Sequence, residues 1–284
     1  MLIGVPREVA TGERRVAVVP EVIPQLTRAG HRVVVEHDAG LRAGFTDDAY
    51  LAAGAEIVDS AEEIYATAQM ILKVQRPGRA EDSGEAELDM LREGTVLIGL
   101  LQPAGDPALF QQLAERKIIA LSMELVPRTT RAQMMDALSS QSTVAGYKAV
   151  LLAANALQKF FPMLMTAAGT VRPARVLVIG AGVAGLQAIA TARRIGAVVE
   201  AFDTRPVVKE QVQSLGATFV ELDVHIEDAQ DAGGYAKELS DRHIRLEKEL
   251  IHKRALQADV IITTALIPGK PAPMLVNAET VRAM

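Results

Sequence analysis

The chain has no cysteine and no tryptophan. Without cysteine there is no disulfide, no thiolate nucleophile and no zinc–thiolate site. Aromatic residues are scarce as well: four tyrosines and six phenylalanines among 284 residues leave the core to aliphatic and alanine packing. No apolar run approaches a membrane span. The longest, near "AVLLAANAL", is interrupted upstream by Lys148 and falls well short of the roughly 20 residues that a spanning helix needs. The opening "MLIGVPRE" is too short in its apolar part for a secretory signal. Clustered cations are missing too. Net charge is −5, with Lys and Arg scattered along the chain, whereas a nucleic-acid surface gathers its cations on one face. Nucleic acid and direct membrane insertion are therefore not expected. The five histidines, His31, His37, His225, His243 and His252, show no metal-ligand spacing, and no metal is expected. What remains, 49% hydrophobic and 23% charged residues, is the profile of a soluble globular protein, expected to be cytoplasmic and long enough for two domains.

Short apolar runs alternate with helical patterns throughout. "LIGVP" leads to a helix around "PEVIPQLTRAG", then to "RVVVE", "DDAYLAAG", the strand "MILKVQ" and the helix "AELDMLREG". The strand "TVLIGLL", the helix "PALFQQLAERK" and the strand "IIALSME" complete the series. Near-continuous apolar strands separated by helices indicate parallel sheets covered on both faces. The fold class read from this pattern is α/β, with two doubly wound Rossmann-like domains and a cleft between them. Residues 1–141 form the N-terminal α/β domain in this reading. Residues 142–284 form the second, entered through a long connecting helix over Ser142–Phe161 with Val144, Tyr147, Leu151 and Ala154 at helical spacing. In that second domain "RVLVIG", "VVEAFD", "TFVEL" and "VIITTAL" read as strands. The charged stretch "EDAQDAGGYAKELSDRHIRLEKELIHKRALQ" begins as a loop and ends as a solvated helix with opposite charges at helical spacing.

"VLVIGAGVAGLQA" places Gly180, Gly182 and Gly185 in GxGxxG spacing, after a strand and opening a helix. Gly180 permits the tight turn, Gly182 lets backbone approach a pyrophosphate, and Gly185 lets the helix pack on the strand. The helix N-terminus then offers oriented N–H groups to the phosphates. Asp203 ends the next strand, where a carboxylate accepts from an adenosine ribose and repels a 2′-phosphate, favouring NAD over NADP. Thr204 and Arg205 follow it as cofactor-binding candidates, Arg205 at the adenosine side or capping the turn. Val183 would line the pyrophosphate path and Leu266 would close over the cofactor's ribose, unless both are packing residues only.

One segment is too richly furnished for a linker. "PRTTRAQMMDALSSQ" concentrates arginines, glutamines and a carboxylate, planar hydrogen-bonding groups, before the long helix. Together with "GVPRE", "GERRVAVVP", "LKVQRP", "IGAGVAGLQA", "GGYAKE" and "TTALIPGKPAP", it resembles the alanine dehydrogenase/nicotinamide nucleotide transhydrogenase family, and within it the transhydrogenase branch. The resemblance runs from Met1 to Met284. It implies that Arg128, Gln133, Asp136 and Ser139 hold the nicotinamide and its ribose, with Gln133, Arg128 and Asp136 at the reacting end. It also implies that "DAGGYAKEL" is a mobile loop closing over NAD(H), with the paired Gly233 and Gly234 as hinge and Tyr235 as the closing side chain.

The resemblance further implies direct hydride transfer between NAD(H) on this chain and NADP(H) on a partner subunit. A membrane-spanning proton-channel subunit would couple that transfer to proton translocation. The chain would be a homodimer, peripheral on the cytoplasmic side of the inner membrane through its partners. The alternative is an alanine dehydrogenase-like, NAD-dependent amino-acid dehydrogenase, with Arg15 and Lys73 matching the positions that bind the oxoacid carboxylate. Such chemistry needs a base to take a proton as the hydride leaves. Alanine dehydrogenases carry a histidine for it, and the corresponding stretch "LIGLLQPAG" has Gln102, which takes up no proton. Transfer between two nicotinamides needs only alignment and fixed dipoles. Family chains continue past "AETVRAM", so their C-terminal part is expected to be absent here.

Overall fold

The computed structural model describes residues 1–79, 86–222, 241–266 and 271–284. It divides into two compact units, Met1–Asp136 and Ala137–Met284.

In the first unit, strands β1 (Leu2–Val5), β2 (Arg32–Glu36), β3 (Glu56–Val58), β4 (Met70–Gln75), β5 (Val96–Leu100) and β6 (Ile119–Ser122) form one sheet. Its order is β3-β2-β1-β4-β5-β6, and every pair is parallel. Helices α1 (Ile23–Arg28), α2 (Asp47–Ala53), α3 (Ala61–Thr67), α4 (Glu87–Met90) and α5 (Pro107–Glu115) join the strands. Successive strand side chains face opposite ways: Val33 and Val35 enter a core with Ile3, Val5, Ile23 and Tyr50, whereas Val34 enters one with Ile64, Ile71 and Leu97. Local chemistry sets the helix starts. Asp106 accepts from the Leu109 N–H at 3.2 Å with Pro107 following, and Ser60 caps α3. "AELDMLREG" makes only the single turn of α4 rather than the expected helix. Glu87 is drawn inward to a buried lysine, and Leu91 enters the core from an extended backbone.

In the second unit, α6 (Ala137–Ala156) precedes the hairpin β7 (Leu164–Thr166) and β8 (Gly169–Val171). Then come β9 (Arg175–Ile179), α7 (Val183–Arg194), β10 (Val198–Phe202), α8 (Lys209–Ser214), β11 (Thr218–Val220), α9 (Asp241–Ala255), β12 (Val260–Thr263) and α10 (Ala278–Ala283). The parallel sheet runs β11-β10-β9-β12, so the order reverses beside β9. Ligands of open α/β sheets bind at the C-terminal strand ends of such a reversal. Two apolar layers flank the sheet, Val176, Val178, Ile189 and Val199 on one side and Leu177, Ile179, Phe202 and Ile251 on the other.

Helix α6 differs from expectation in start and in face. It buries Gly146 and Val150, while Val144 and Tyr147 are exposed. A Cβ at Gly146 would lie 2.1 Å from the Ala184 carbonyl oxygen, so α6 meets α7 through its smallest residue. In an alanine-rich helix, close approach at one glycine outweighs the pattern of larger side chains. The hairpin has no counterpart among the strands expected from the sequence, and all six of its strand residues are exposed. Among the described residues no helix is long and apolar enough to cross a membrane.

Candidate functional site

The glycine turn lies between the C-terminal ends of β9, β10 and β12. Gly180 has φ +98, a left-handed value that glycine adopts without strain, and its N–H donates to Phe202 O at 2.8 Å. A Cβ on Gly185 would sit 1.8 Å from Gly180 O, so the start of α7 presses against the turn. Gly182 is different. Its φ is −76, and among the described residues nothing beyond its chain neighbours and its own helix lies within 4 Å of where its Cβ would be. Neither backbone strain nor internal packing requires glycine there; open space in front of a helix N-terminus does, if an anionic ligand is to come close. Gly182 is also the N-cap of α7 and supplies no side-chain acceptor, so the first-turn N–H groups keep no cap bond from it.

Asp203 stands at this turn, its side chain 6% exposed. One carboxylate oxygen accepts from the Ala181 N–H at 2.6 Å and from Arg205 Nη2 at 2.9 Å. The other accepts from the Arg205 N–H and Nε, both at 2.9 Å. A carboxylate has about four acceptor positions, so donors from this chain engage them all. A ribose hydroxyl reaching Asp203 must displace an Arg205 contact. Thr204 Oγ1 is buried with no hydrogen-bond partner among the described residues, a hydroxyl that a nucleotide's polar groups would satisfy. Val183 opens α7 and is 37% exposed, and Leu266, beyond β12, is 62% exposed. Gly234 and Tyr235 lie outside the described residues.

Sequence reasoning missed Glu247. It lies on the face of α9 that buries Ile251 and Ala255 one and two turns later, and it is 4% exposed. Its Oε1 has no partner among the described residues. Burial first, and then the negative charge of Asp203, push its carboxyl up to about 7. An acid at i with apolar residues at i+4 and i+8 was the available signal, masked by the charges around it.

In the first unit, Arg128, Gln133 and Asp136 come together. They line a recess of about 290 Å³ with Thr129 and Thr130, built on the 3-10 turn Thr130–Met135. Arg128 Nε is 4.0 Å from Asp136 Oδ2. Ala132 anchors the turn in the core, while Gln133 is exposed and Met134 fully so. Ser139 is not among the lining residues; it lies in the first turn of α6, where its carbonyl accepts from the Thr143 hydroxyl at 3.0 Å.

The two other cations singled out from the sequence are engaged internally. Lys73 Nζ is 2.6 Å from Glu87 and 3.4 Å from Glu8, with its side chain fully buried. Tyr65 donates to Glu87 at 2.9 Å, and Glu8 accepts from the Val74 and Gln75 N–H groups at 2.5 and 3.2 Å. Burial pushes the Glu8 carboxyl up despite Lys73 beside it. Arg15 lies on Glu13 at 2.6 and 2.8 Å, and that pairing holds the Glu13 carboxyl down at about 2. Gln102 is exposed with φ +55, its N–H donating to Glu124.

Comparison with known proteins adds to this geometry. Residues 4–145 match the family model "Alanine dehydrogenase/PNT, N-terminal domain", and residues 149–284 match "Alanine dehydrogenase/PNT, C-terminal domain". In Rhodospirillum rubrum, a protein named as the first part of NAD(P) transhydrogenase subunit alpha is 50% identical to this chain over 285 aligned residues, which cover 100% of this chain and 74% of that one. A crystal structure of transhydrogenase from Sinorhizobium meliloti superposes with a TM-score of 0.85 at 42% identity, over 100% of this chain and 75% of that one. Alanine dehydrogenase of Methanococcus maripaludis is more distant, 32% identical over 287 residues, covering 100% of this chain and 69% of that protein.

Proposed function

Because this chain belongs to the alanine dehydrogenase/PNT family along nearly its whole length, we propose that it is the NAD(H)-binding component of a proton-translocating transhydrogenase. In this reading it exchanges hydride directly with NADP(H) on a partner subunit, and a membrane-spanning subunit couples the exchange to proton movement. The chain would then sit on the cytoplasmic face of the inner membrane, held there by its partners.

The observation that carries the reading is the recess of Arg128, Thr129, Thr130, Gln133 and Asp136. Its groups orient and fix charge. Gln133 offers a donor and an acceptor together, the complement of a carboxamide. Arg128 and Asp136 hold each other near the recess. In the second unit, Gly180, Gly182, Val183 and Gly185 would receive the pyrophosphate, with Asp203, Thr204, Arg205 and Leu266 at the adenosine side. The open space before Gly182 and the Thr204 hydroxyl, without a partner among the described residues, fit such a ligand. Bound there, NAD(H) would supply the hydride donor or acceptor, and this chain's residues would supply alignment.

The amino-acid dehydrogenase alternative gains no support from the site. Lys73 and Arg15 already rest on Glu8, Glu87 and Glu13, and the exposed Gln102 is no base. A homodimer is also part of the proposal. The exposed hairpin carries Leu164, Met165 and Val171, and Val144, Tyr147 and Leu152 are exposed on α6. A lone two-stranded hairpin needs further packing to be stable. Sedimentation equilibrium giving a monomer at micromolar concentration would remove the dimer. For the function itself, the chain is mixed with an NADP(H)-binding transhydrogenase subunit and hydride exchange with an NAD analogue is followed. Exchange is expected, and rapid pyruvate reduction with ammonia would overturn the proposal.

A further inference from the structure

The Gly180–Ala181 peptide is held at both of its polar ends by side chains from the two strands that flank β9. On one side Asp203, following β10, accepts from the Ala181 N–H at 2.6 Å. On the other, Thr264, following β12, donates its hydroxyl to the Gly180 carbonyl oxygen at 2.8 Å, with Ile179 O also at 3.4 Å. Backbone fixes Thr264 in turn, since its N–H donates to Ile179 O at 2.8 Å. The hydroxyl also fills the crevice inside the turn: a Cβ on Gly180 or Gly185 would lie 2.8 or 3.0 Å from it.

We propose that Thr264 is a positioning residue for the phosphate-binding turn. It rests on the reading of this turn as a dinucleotide site. A peptide carrying a donor at one edge and an acceptor at the other rotates when either is released. Rotation of Gly180–Ala181 moves Gly182, and with it the N–H groups that open α7. It also turns the Gly180 carbonyl, a negative dipole end, out of the crevice where Thr264 holds it. With both ends held, the turn has its ligand-ready shape before a ligand arrives, and binding loses less to ordering. Asp203 thereby has a second task beside any contact with ribose. Thr264 has no such contact to explain it, because its hydroxyl is directed into the turn.

The test separates the hydroxyl from the side chain's shape. Thr264→Val keeps the branched volume and removes the donor, and Thr264→Ser keeps the donor. Titration calorimetry with the full chain uses NADH, and adenosine at millimolar concentration. Loss of one hydrogen bond in the turn is expected to weaken NADH binding about tenfold in Thr264→Val. Adenosine, which has no phosphate, should bind as it does to wild type, and Thr264→Ser should restore most of the NADH affinity. Merely structural damage would weaken both ligands alike. Equal NADH affinity in Thr264→Val and wild type, parallel loss of adenosine, or no rescue by serine would each overturn the proposal. Failure of the wild-type chain to bind NADH at all would overturn the dinucleotide reading itself, and the proposal with it.

Discussion

Replacing Lys73 by methionine should destabilise the N-terminal unit by about 3–5 kcal/mol, the range for breaking a buried ion pair from one side. The Nζ is fully buried between Glu87 at 2.6 Å and Glu8 at 3.4 Å, and those side chains are only 1% and 3% exposed. Methionine fills most of the stem's volume, so the loss is electrostatic and leaves little cavity. Each abandoned carboxylate keeps partial support. Glu87 retains the Tyr65 hydroxyl and the Gly78 N–H, and Glu8 retains the Val74 and Gln75 N–H groups. For that reason the two penalties should not simply add. Against a typical total of about 5–15 kcal/mol, the loss is large. Its pH dependence is diagnostic. Burial already raises the Glu8 carboxyl, and removing the Lys73 charge, which lowers it, lets it rise further above its unfolded value. The mutant's folded state then binds protons more readily than its unfolded state. The deficit is therefore full at pH 8 and shrinks as pH falls through the raised folded value of Glu8 toward its unfolded one. Urea denaturation at several pH values measures it, with Lys73→Met/Glu87→Gln as a partial rescue. NADH affinity of the folded mutant should stay within about twofold of wild type, because Lys73 engages Glu8 and Glu87, which belong neither to the glycine turn nor to the recess of Arg128, Gln133 and Asp136. A loss under about 1 kcal/mol, or one indifferent to pH, would refute the view of Lys73 as a buried structural cation.

Three further outcomes follow from the site. Gln133→Ala should slow hydride exchange far more than it weakens NADH binding, since a ring misplaced by about 1 Å can cost on the order of a hundredfold in rate; stopped-flow transfer at saturating cofactor measures it, and a wild-type rate with poor affinity would reassign Gln133 to binding. Asp203→Asn should weaken NADH binding and narrow the preference over NADPH, through loss of at least one charge-assisted bond worth roughly 1.5–3 kcal/mol; calorimetry with both cofactors checks it, and unchanged affinities would separate the acid from the ribose. Glu247→Gln should leave stability near pH 4 almost unchanged and raise it at pH 8. The folded carboxyl is raised to about 7, so its penalty grows as pH rises from the unfolded value through 7, up to roughly 3 kcal/mol; a mutant whose denaturation midpoint follows wild type across that range would contradict the assignment.

Some features were legible because their cause is local. Strand and helix alternation, parallel pairing and the glycine spacing of 180, 182 and 185 arise from side-chain type and short spacing, and the fold has the expected parallel strands, while β3 (Glu56–Val58), α3 (Ala61–Thr67) and the hairpin were not expected. The recess residues Arg128, Gln133 and Asp136 were also identifiable, since one short segment supplies all of them. Other features were hidden because their partners are far apart in the chain. Glu247 resembles any other charge on a polar helix until α9 is laid against the strand ends that include Phe202. "AELDMLREG" carries a helical pattern, and only the buried Lys73 across the sheet explains why Glu87 turns inward after one turn.

The sequence by itself therefore determined the class of fold, the existence of a glycine turn between strand and helix and the polar segment over residues 127–141, since periodicity, glycine spacing and composition act over a few residues. Tertiary structure decided which groups remain available. Only the sheet's strand order brings Asp203 and Thr264, 61 positions apart in numbering, to the two ends of one peptide. Only packing shows Lys73 consumed by Glu8 and Glu87, and Gly182 facing open space while Gly185 is pressed against the turn. Hydrogen bonds and burial depend on distance in space, and a linear chain records that distance only where neighbours in sequence are also neighbours in the fold.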